Sequence, residues 1–472
     1  MKALIDQYER HFGKRPDKVE EIPLSVSLRR YYRMYDGADT CIGTYSPDVR
    51  ETVSFTTFAN HFRGLGLNVP EIIAVGDDQQ TYLQSDLGDT RLHELIVSRS
   101  SNRLDEKLLQ LYRSAIDQLV KMQVEGDKGL DYSVAVPRPA FDKQSVLWDL
   151  NHFKYYFLKL SGIPFDEQQL EEAFDVCAEI VSGVEPQGFM FRDFQSRNIM
   201  VSHGEVYLID FQGGRRGPLH YDLASLLLQS NAALNGADRD QLISYYLERL
   251  STYREVDRDA FMADYYLVAL VRVLQALGAY GLRGLIEKKA VFLQSIPAGL
   301  ENLENLLEKI EPGAIAGYLR SILQQVASAA DRYPQLPEAY DGLTVTIYSF
   351  SYRRPGPDDL TGNGGGFVYD CRFLSNPGRC DEMRMLNGFD TEVIRFLEED
   401  PAVPEFLDSI KLQLQRTMAR YREMDYRNLM VSFGCTGGRH RSVYVAHAIA
   451  EWCRSRPGVR VLEFHREMEI EL

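Results

Sequence analysis

The chain has 472 residues, 44% of them hydrophobic, enough for a large core and for more than one domain. A formal net charge of -15, most of it carried before residue 343, excludes a binder that grips nucleic acid through clustered Lys and Arg. The six cysteines show neither a CxxC nor a metal-ligand spacing, the N-terminus is charged throughout, and no run of about 18 apolar residues follows. These features predict reduced thiols, a cytoplasmic location, no export signal and no membrane span.

Residues 1–88 read as a small, strand-rich lobe. Residues 23–35 suggest a strand, a tight Ser-x-Ser turn and a second strand. In that turn Ser25 and Ser27 offer hydroxyl and backbone donors, and Arg29 or Arg30 offers charge; an ordinary hairpin with its arginines in solvent is the alternative. A strand follows at 40–45. Ser46-Pro47 then opens a helix with Ser46 as its N-cap, the face Val53, Phe55, Phe58, Ala59, Phe62 as core, and Glu51 as a surface carboxylate favoured by the helix dipole, the alternative being that Glu51 orients a nucleotide-contacting side chain. Strands at 69–75 and 80–84 lead into Ser85-Asp86-Leu87-Gly88.

From about 90 to 330 the apolar period becomes helical, as in 104–123 and 165–182. A helix over 145–156 carries Trp148, Asp149, His152, Tyr155 and Tyr156. These are stacking rings and hydroxyl-bonding groups that suit a sugar pocket, although an aromatic-rich core helix has the same composition. Asp149, a carboxylate among apolar neighbours, requires a partner.

The most informative stretch is 189–212. Asp193 is followed five residues later by Asn198, then by an apolar hairpin turning at His203-Gly204, then by Asp210 in Ile-Asp-Phe. This is the layout of a phosphoryl-transfer centre. A carboxylate (Asp193) accepts the proton of the attacking hydroxyl, while an amide oxygen (Asn198) and a second carboxylate (Asp210) hold the Mg2+ that accompanies ATP. A segment at 302–311 is amphipathic and is broken by Pro312-Gly313. Residues 331–342, with two prolines in four residues and no period, read as a linker.

Residues 343–472 form a smaller α/β domain. Strands at 343–350, 367–373 and 429–433 are expected, the last running into Gly434-Cys-Thr-Gly-Gly-Arg-His-Arg-Ser442 and a helix over 443–453. A glycine-rich loop between strand and helix directs backbone N–H groups at an anion. Its Cys435-x5-Arg441 spacing also matches the protein tyrosine phosphatase loop, in which the cysteine attacks phosphorus.

The motifs Phe191-Arg-Asp-Phe-Gln-Ser-Arg-Asn198, Leu208-Ile-Asp-Phe-Gln-Gly-Gly214 and Gly217-Pro-Leu-His-Tyr-Asp-Leu-Ala-Ser-Leu226 resemble the aminoglycoside-phosphotransferase superfamily. Within it they are similar to the AmgK type, anomeric kinases of N-acetylmuramate and N-acetylglucosamine. Phe191 stands where many relatives carry His, a position that supports the loop.

The resemblance implies a bilobal, protein-kinase-like α+β fold with an N-lobe (1–88) and a helical C-lobe (89–330). It implies ATP and Mg2+, and a cell-wall amino sugar phosphorylated at C1. Ser25, Ser27, Arg29 and Arg30 would cover the phosphates, an arginine replacing the strand lysine absent from Cys41-Ile42-Gly43-Thr44. Gln84 and Asp86 would form the adenine hinge, Trp148, Asp149, His152 and Arg197 would bind substrate, and Asp222 would pin the catalytic loop.

The loop 434–442, with Phe367-Val-Tyr-Asp-Cys-Arg-Phe-Leu-Ser-Asn-Pro377 and Asn387-Gly-Phe-Asp390, resembles the C-terminal domain of the RNase adapter RapZ, a sensor of glucosamine-6-phosphate. This implies an amino-sugar-phosphate site of Asp370, Arg372, Asn376, Thr436, Gly437, His440 and Arg441. Gly378 replaces the family's His. An acidic tail, Glu467-Met-Glu-Ile-Glu-Leu472, replaces its basic one, which argues against RNA binding. The sequence leaves open a kinase for another small alcohol, aminoglycoside-like or choline-like, and a non-catalytic adapter with a pseudokinase domain. It does not speak to oligomeric state.

Overall fold

The computed structural model describes all residues except 23–27, 100, 102, 233, 331–332, 334–339, 355, 358, 360, 362–364 and 472. The chain separates into two compact units. The first comprises Met1–Leu282 with Ser295–Tyr333, and the second comprises Pro334–Leu472 with Arg283–Gln294.

The first unit begins with the helix Lys2–Phe12 and an antiparallel sheet of β1 (Lys18–Ile22), β2 (Arg30–Asp36), β3 (Asp39–Tyr45), β4 (Ile72–Val75) and β5 (Thr81–Ser85), in the order β1-β2-β3-β5-β4. The first strand therefore lies N-terminal to the expected 23–35 hairpin. Leu4 and Tyr8 of the helix bury against Tyr32, Met34, Cys41 and Leu83. At Gly43 an added Cβ would lie 2.9 Å from the Met34 sulfur, so this β3 position is kept bare for close packing.

The helix Val49–Gly64 is capped by Asp48, whose carboxylate accepts from the N–H of Arg50. Ser46 is not the cap, because its N–H is committed to Gln80 O in the sheet and its hydroxyl donates to Asp48 O.

The rest of this unit is largely helical. The hairpin of β7 (Ile199–Ser202) and β8 (Glu205–Leu208) pairs Met200 with Tyr207 and Val201 with Val206, turning through His203 (φ 52°) and Gly204 (φ 85°). Two successive left-handed residues match the strand twist across a two-residue turn. Flanking it, β6 (Gln187–Met190) pairs with β9 (Arg215–Pro218). Phe189 and Phe211 from this region meet Phe62 of the Val49–Gly64 helix at ring separations of 4.8 and 5.6 Å, so one aromatic cluster ties helix to hairpin.

One helical stretch, Arg258–Ile286, is long and apolar enough by length and composition to cross a membrane. Within it Phe261, Tyr265, Leu270, Leu274 and Leu277 are buried in the core of this unit.

In the second unit β10 (Leu343–Ser351), β11 (Phe367–Asp370), β12 (Asn428–Cys435), β13 (Val459–His465) and β14 (Ile470–Glu471) form a sheet in the order β11-β12-β10-β13-β14, parallel except for the last pair. Strand β11 ends at Asp370, short of the expected 373, since the chain then turns through Cys371–Leu374. Strand β13 was not anticipated from the sequence. Val345, Ile347, Val431 and Phe433 pack with Ala446 and Ile449 of the helix Arg441–Arg454.

His220 illustrates how tightly the first unit is packed. Its ring stacks on Phe261 at 3.9 Å, both ring nitrogens lack hydrogen-bond partners among the described residues, and burial pushes its pKa down to about 3. An unfolded chain binds this proton near 6.5 and the folded one near 3, so stability falls as pH drops through that window. We expect His220→Phe to lose about 2 kcal/mol less stability than wild type between pH 7.5 and pH 5. Denaturant unfolding at the two pH values measures this, and parallel losses in the two proteins would contradict it.

Candidate functional site

A cavity of about 270 Å³ in the first unit is lined on one side by Arg29, Tyr31, Arg33 and Ile42, by Gln84–Gly88 of the segment after β5, and on the other side by Asn198, Met200, Ile209 and Asp210. Arg29 is its central cation. Nη1 donates to the Tyr31 hydroxyl (3.1 Å), Nη2 lies 3.1 Å from Asp210 Oδ1, and Nε lies 3.3 Å from the carboxylate of Glu51.

Glu51 is thus an ion-pair partner of a cleft arginine, not a free surface carboxylate. The two arginines of the expected phosphate-covering segment separate. Arg29 faces the cavity, whereas Arg30 forks onto Glu21 at the exposed strand pair β1–β2 and does not line it. Ser25 and Ser27 lie outside the described residues. Gln84 and Asp86 line the cavity, and the Asp86 carboxylate is taken by Arg33 (2.6 Å) and the N–H of Gly88.

The loop that carries Asp193 is held from behind. Asp222, fully buried in the helix His220–Leu227, accepts the N–H groups of Phe191 (2.7 Å) and Arg192 (2.9 Å). Burial pushes its pKa up to about 7 against these bonds.

Arg192 sits at φ 82°, a conformation unusual for a side-chain-bearing residue. Its guanidinium forks onto Asp149 (2.5 and 2.7 Å), donates to the Tyr221 hydroxyl, and lies 5.2 Å from the Phe141 and 5.0 Å from the Tyr221 ring centroid. Asn198 Nδ2 donates to Asp193 O (2.9 Å), and Asn198 O accepts from Ile209 N (3.1 Å), so loop and hairpin are joined just before Asp210. Asp210 is also left-handed, at φ 72°, with Gln212 Nε2 on its Oδ1. Phe191 packs on Phe194 and Phe211, a supporting role.

Asn198 and Asp210 share the cavity wall; Asp193 is not among its lining residues. With its Nδ2 committed, Asn198 keeps its amide oxygen as an acceptor, and Asp210 adds a carboxylate. This hard oxygen pair fits Mg2+, which takes one or two protein ligands and fills the rest with water and phosphate oxygens. Among the described residues no group of three or more His, Cys, Asp or Glu offers a self-sufficient metal cage.

The expected substrate helix behaves differently from its reading. It runs Lys143–Phe153 and continues as a wider π turn, Lys154–Leu158. Asp149 has found its partner in Arg192 and positions the loop. Trp148 is largely exposed and lies against Arg138, His152 packs on Tyr156, and Arg197 lies at the rim of the first cavity.

A second cavity of about 750 Å³, which the sequence reading missed, opens among 228–243, 265–266 and 298–309. It is lined by Gln229, Asn235, Arg239, Tyr265, Glu301 and Asn302, among others. Gln229 connects it to the catalytic loop, since Oε1 accepts from the hydroxyl (2.7 Å) and the N–H of Ser196, midway between Asp193 and Asn198.

In the second unit Cys435 is buried, and its Sγ accepts from the N–H of Gly438 (3.2 Å) and lies 3.1 Å from Ser442 Oγ. Arg441 is also buried. Its Nη1 donates to the carbonyls of Arg372 and Leu374, so it anchors the Cys371–Leu374 turn instead of standing free over the loop. Asp370 forks onto Arg372, whose guanidinium lies 4.2 Å from the Tyr352 ring centroid. Asn376, Gly378 and His440 come together: an added Cβ on Gly378 would stand 3.4 Å from Asn376 Oδ1 and 3.6 Å from the His440 ring. Thr436 and Gly437 are exposed at the loop tip. Glu467 of the acidic tail packs against Gly438 and accepts from the N–H of Ser351.

Residues 18–259 match the family model described as the phosphotransferase enzyme family. The chain belongs to this family. Residues 343–469 match the RapZ C-terminal domain. Among curated proteins, a nucleotide-binding protein of Thermotoga petrophila is 38% identical over 128 residues, which is 27% of this chain and 43% of that protein. One of Paramagnetospirillum magneticum is 36% identical over 132 residues, 28% and 41%. The chain therefore spans about two fifths of the length of these relatives. Similar solved structures are a putative aminoglycoside phosphotransferase from Ralstonia eutropha (11% identity, 71% of this chain and 99% of that one, TM-score 0.44) and choline kinase LicA from Streptococcus pneumoniae (14%, 70% and 98%, 0.42).

The phosphotransferase unit thus builds the loop carrying Asp193 on the Arg192–Asp149 ion pair. Asp149→Ala strips Arg192 of the only carboxylate it pairs with among the described residues, and loss of one partner of a buried pair typically costs 3–5 kcal/mol. We expect Asp149→Ala to lower the unfolding free energy by about that amount. Denaturant unfolding checks it, and a loss below about 1 kcal/mol would identify the pair as dispensable.

Proposed function

We propose that the protein is an ATP- and magnesium-dependent kinase of an amino sugar, acting on the anomeric C1 hydroxyl in cell-wall sugar recycling, and that its second unit binds an amino-sugar phosphate. The observation that carries the phosphotransfer reading is the common wall formed by Asn198, Asp210 and Arg29, with Asn198 tied to the backbone of Asp193.

Asp193 takes the proton of the acceptor hydroxyl. Asn198 and Asp210 hold magnesium, which when bound neutralises charge on the phosphate oxygens. Arg29, braced by Glu51 and Tyr31, supplies the cation that an ordinary kinase places on its third strand, and this favours a working enzyme over a pseudokinase. The segment Gln84–Asp86 offers its backbone to the adenine. The second cavity, joined to the catalytic loop through Gln229 and Ser196, receives the acceptor; its amides, tyrosines and charged groups suit a polyhydroxylated ring. In the second unit Thr436, Gly437 and His440 of the glycine loop, together with Asp370, Arg372 and Asn376, would take the sugar phosphate, with Arg441 fixing the turn that carries Arg372.

Incubating the protein with ATP, Mg2+ and a panel of N-acetylmuramate, N-acetylglucosamine, aminoglycosides and choline, with phosphorus NMR of the product, tests the assignment. A sugar 1-phosphate is expected, and transfer only to choline or an aminoglycoside would overturn it.

Asp193→Asn should lower turnover at least about 100-fold with nucleotide affinity nearly intact. Asp210→Ala should weaken nucleotide binding only when Mg2+ is present. Turnover of Asp193→Asn within tenfold of wild type, or unchanged Mg-dependent affinity in Asp210→Ala, would remove the corresponding role. Glucosamine-6-phosphate should bind saturably in calorimetry and lose affinity in Arg372→Ala; no detectable heat at millimolar ligand would exclude the sensor role.

A further inference from the structure

The loop carrying Asp193 is fastened at both ends. At its start Asp222 takes the N–H groups of Phe191 and Arg192, and at its end Asn198 is bonded to Asp193 O and to Ile209 N. Among the described residues no hydrogen bond or ion pair restrains the Asp193 carboxylate itself, so its place is set by the backbone of the loop. What fixes the middle of that backbone therefore matters for the carboxylate.

The middle is Ser196, fully buried, in the single turn Ser196–Asn198. Gln229 reaches it from the segment that follows the helix His220–Leu227. Its Oε1 accepts twice from Ser196, from the hydroxyl at 2.7 Å and from the backbone N–H at 3.3 Å. The amide orientation follows, because a backbone N–H can only donate and the oxygen end of the side chain must receive it. The hydroxyl gives its one proton to Gln229, so in its 3.3 Å contact with His93 Nδ1 the ring is the donor. Burial, with Arg197 nearby, pulls the His93 pKa down and favours the neutral ring.

Gln229 is itself held. Its Nε2 donates to Ser225 O (3.3 Å), and its carbonyl accepts from the N–H of Ala232 (3.1 Å). The carbonyl of the preceding Leu228 accepts from Asn302 Nδ2 (3.1 Å), on the helix Ile296–Lys309. A side chain anchored at its root and at both ends of its amide can hold what it touches with little further loss of rotamer entropy.

We propose that Gln229 is a positioning residue for phosphoryl transfer: by fixing Ser196 it sets where the loop backbone holds the Asp193 carboxylate relative to Asn198 and Asp210. The proposal rests on the reading of Asp193 as the base. Gln229 acts through Ser196 and takes no part in the proton or phosphoryl step. A reacting group displaced by about 1 Å loses on the order of 100-fold in rate, which is the scale of effect such a contact can control.

Substitutions in the full chain test this. Gln229→Met keeps the length of the side chain and removes the acceptor, whereas Gln229→Glu keeps an acceptor oxygen. Gln229→Met should lower kcat about 10–100-fold, with nucleotide affinity in the absence of Mg2+ within about threefold of wild type, and Gln229→Glu should recover most of the loss. Ser196→Ala should cost less, because the N–H bond remains, and adding it to Gln229→Met should cost nothing further.

Hydrogen exchange supplies a readout that does not depend on turnover. The amides of residues 194–197 should exchange about tenfold faster in Gln229→Met, while those of Phe191 and Arg192, held by Asp222, should not change. A kcat of Gln229→Met within about twofold of wild type overturns the proposal, as does an additive double mutant. So does a Gln229→Glu as slow as Gln229→Met, or exchange that rises equally at 191–192 and 194–197, which would mark general loosening of the loop. A wild type that transfers no phosphate from ATP to any acceptor of the panel overturns the kinase reading, and the role of Gln229 in transfer with it.

Discussion

The ion pair between Arg192 and Asp149 is the contact on which the loop carrying Asp193 depends. A buried guanidinium is stable only with a carboxylate and good geometry, and here it has a two-pronged fork, a tyrosine hydroxyl and two flanking rings. Because Arg192 immediately precedes Asp193, fixing its side chain fixes the start of the loop. The left-handed backbone at Arg192 would be unfavourable alone, and the two N–H bonds into Asp222 hold it there. A helix from one part of the sequence (Asp149) and a helix from another (Asp222) thus converge on two consecutive residues, and the loop geometry is over-determined.

The first cavity draws its charge from outside the third strand. That strand has no lysine, and Gly43 could not be enlarged without striking Met34 and Leu4. Arg29, on the chain entering β2, lines the cavity and meets both Glu51 of the neighbouring helix and Asp210 after the hairpin. An arginine reaches further than its Cα suggests and can serve several acceptors at once, which a lysine at the same place could not do with the same planar geometry.

The second unit is built around a glycine loop. Its glycine loop follows a parallel strand and opens a helix, the arrangement in which backbone N–H groups converge. The Cys-x5-Arg spacing invites comparison with a phosphatase, but the thiol is sealed under the loop with Gly438 and Ser442. Arg441 commits its Nη1 to two carbonyls. A nucleophile needs access to its target, and this buried thiol lacks it, so the loop is better suited to binding than to attack.

By itself the sequence determined what is local. The Asp193-x4-Asn198 spacing, the hairpin turning at His203-Gly204 and the Asp210 that follows are encoded within about twenty residues, where left-handed turn positions and strand alternation act without help from distant chain. The strand, glycine loop and helix at 428–454 were legible for the same reason. Only the tertiary structure decided the partners of charges far apart in sequence. Glu51 looked like a surface carboxylate until Arg29 reached it, and Asp149 looked like a sugar ligand until Arg192, 43 residues on, claimed it. Arg30, adjacent to Arg29, faces away because successive residues entering a strand point to opposite sides. The second cavity was invisible for the same physical reason. Segments more than 20 residues apart in sequence line it, and which side chains the packing brings within a few ångströms is a property that no single stretch of sequence contains.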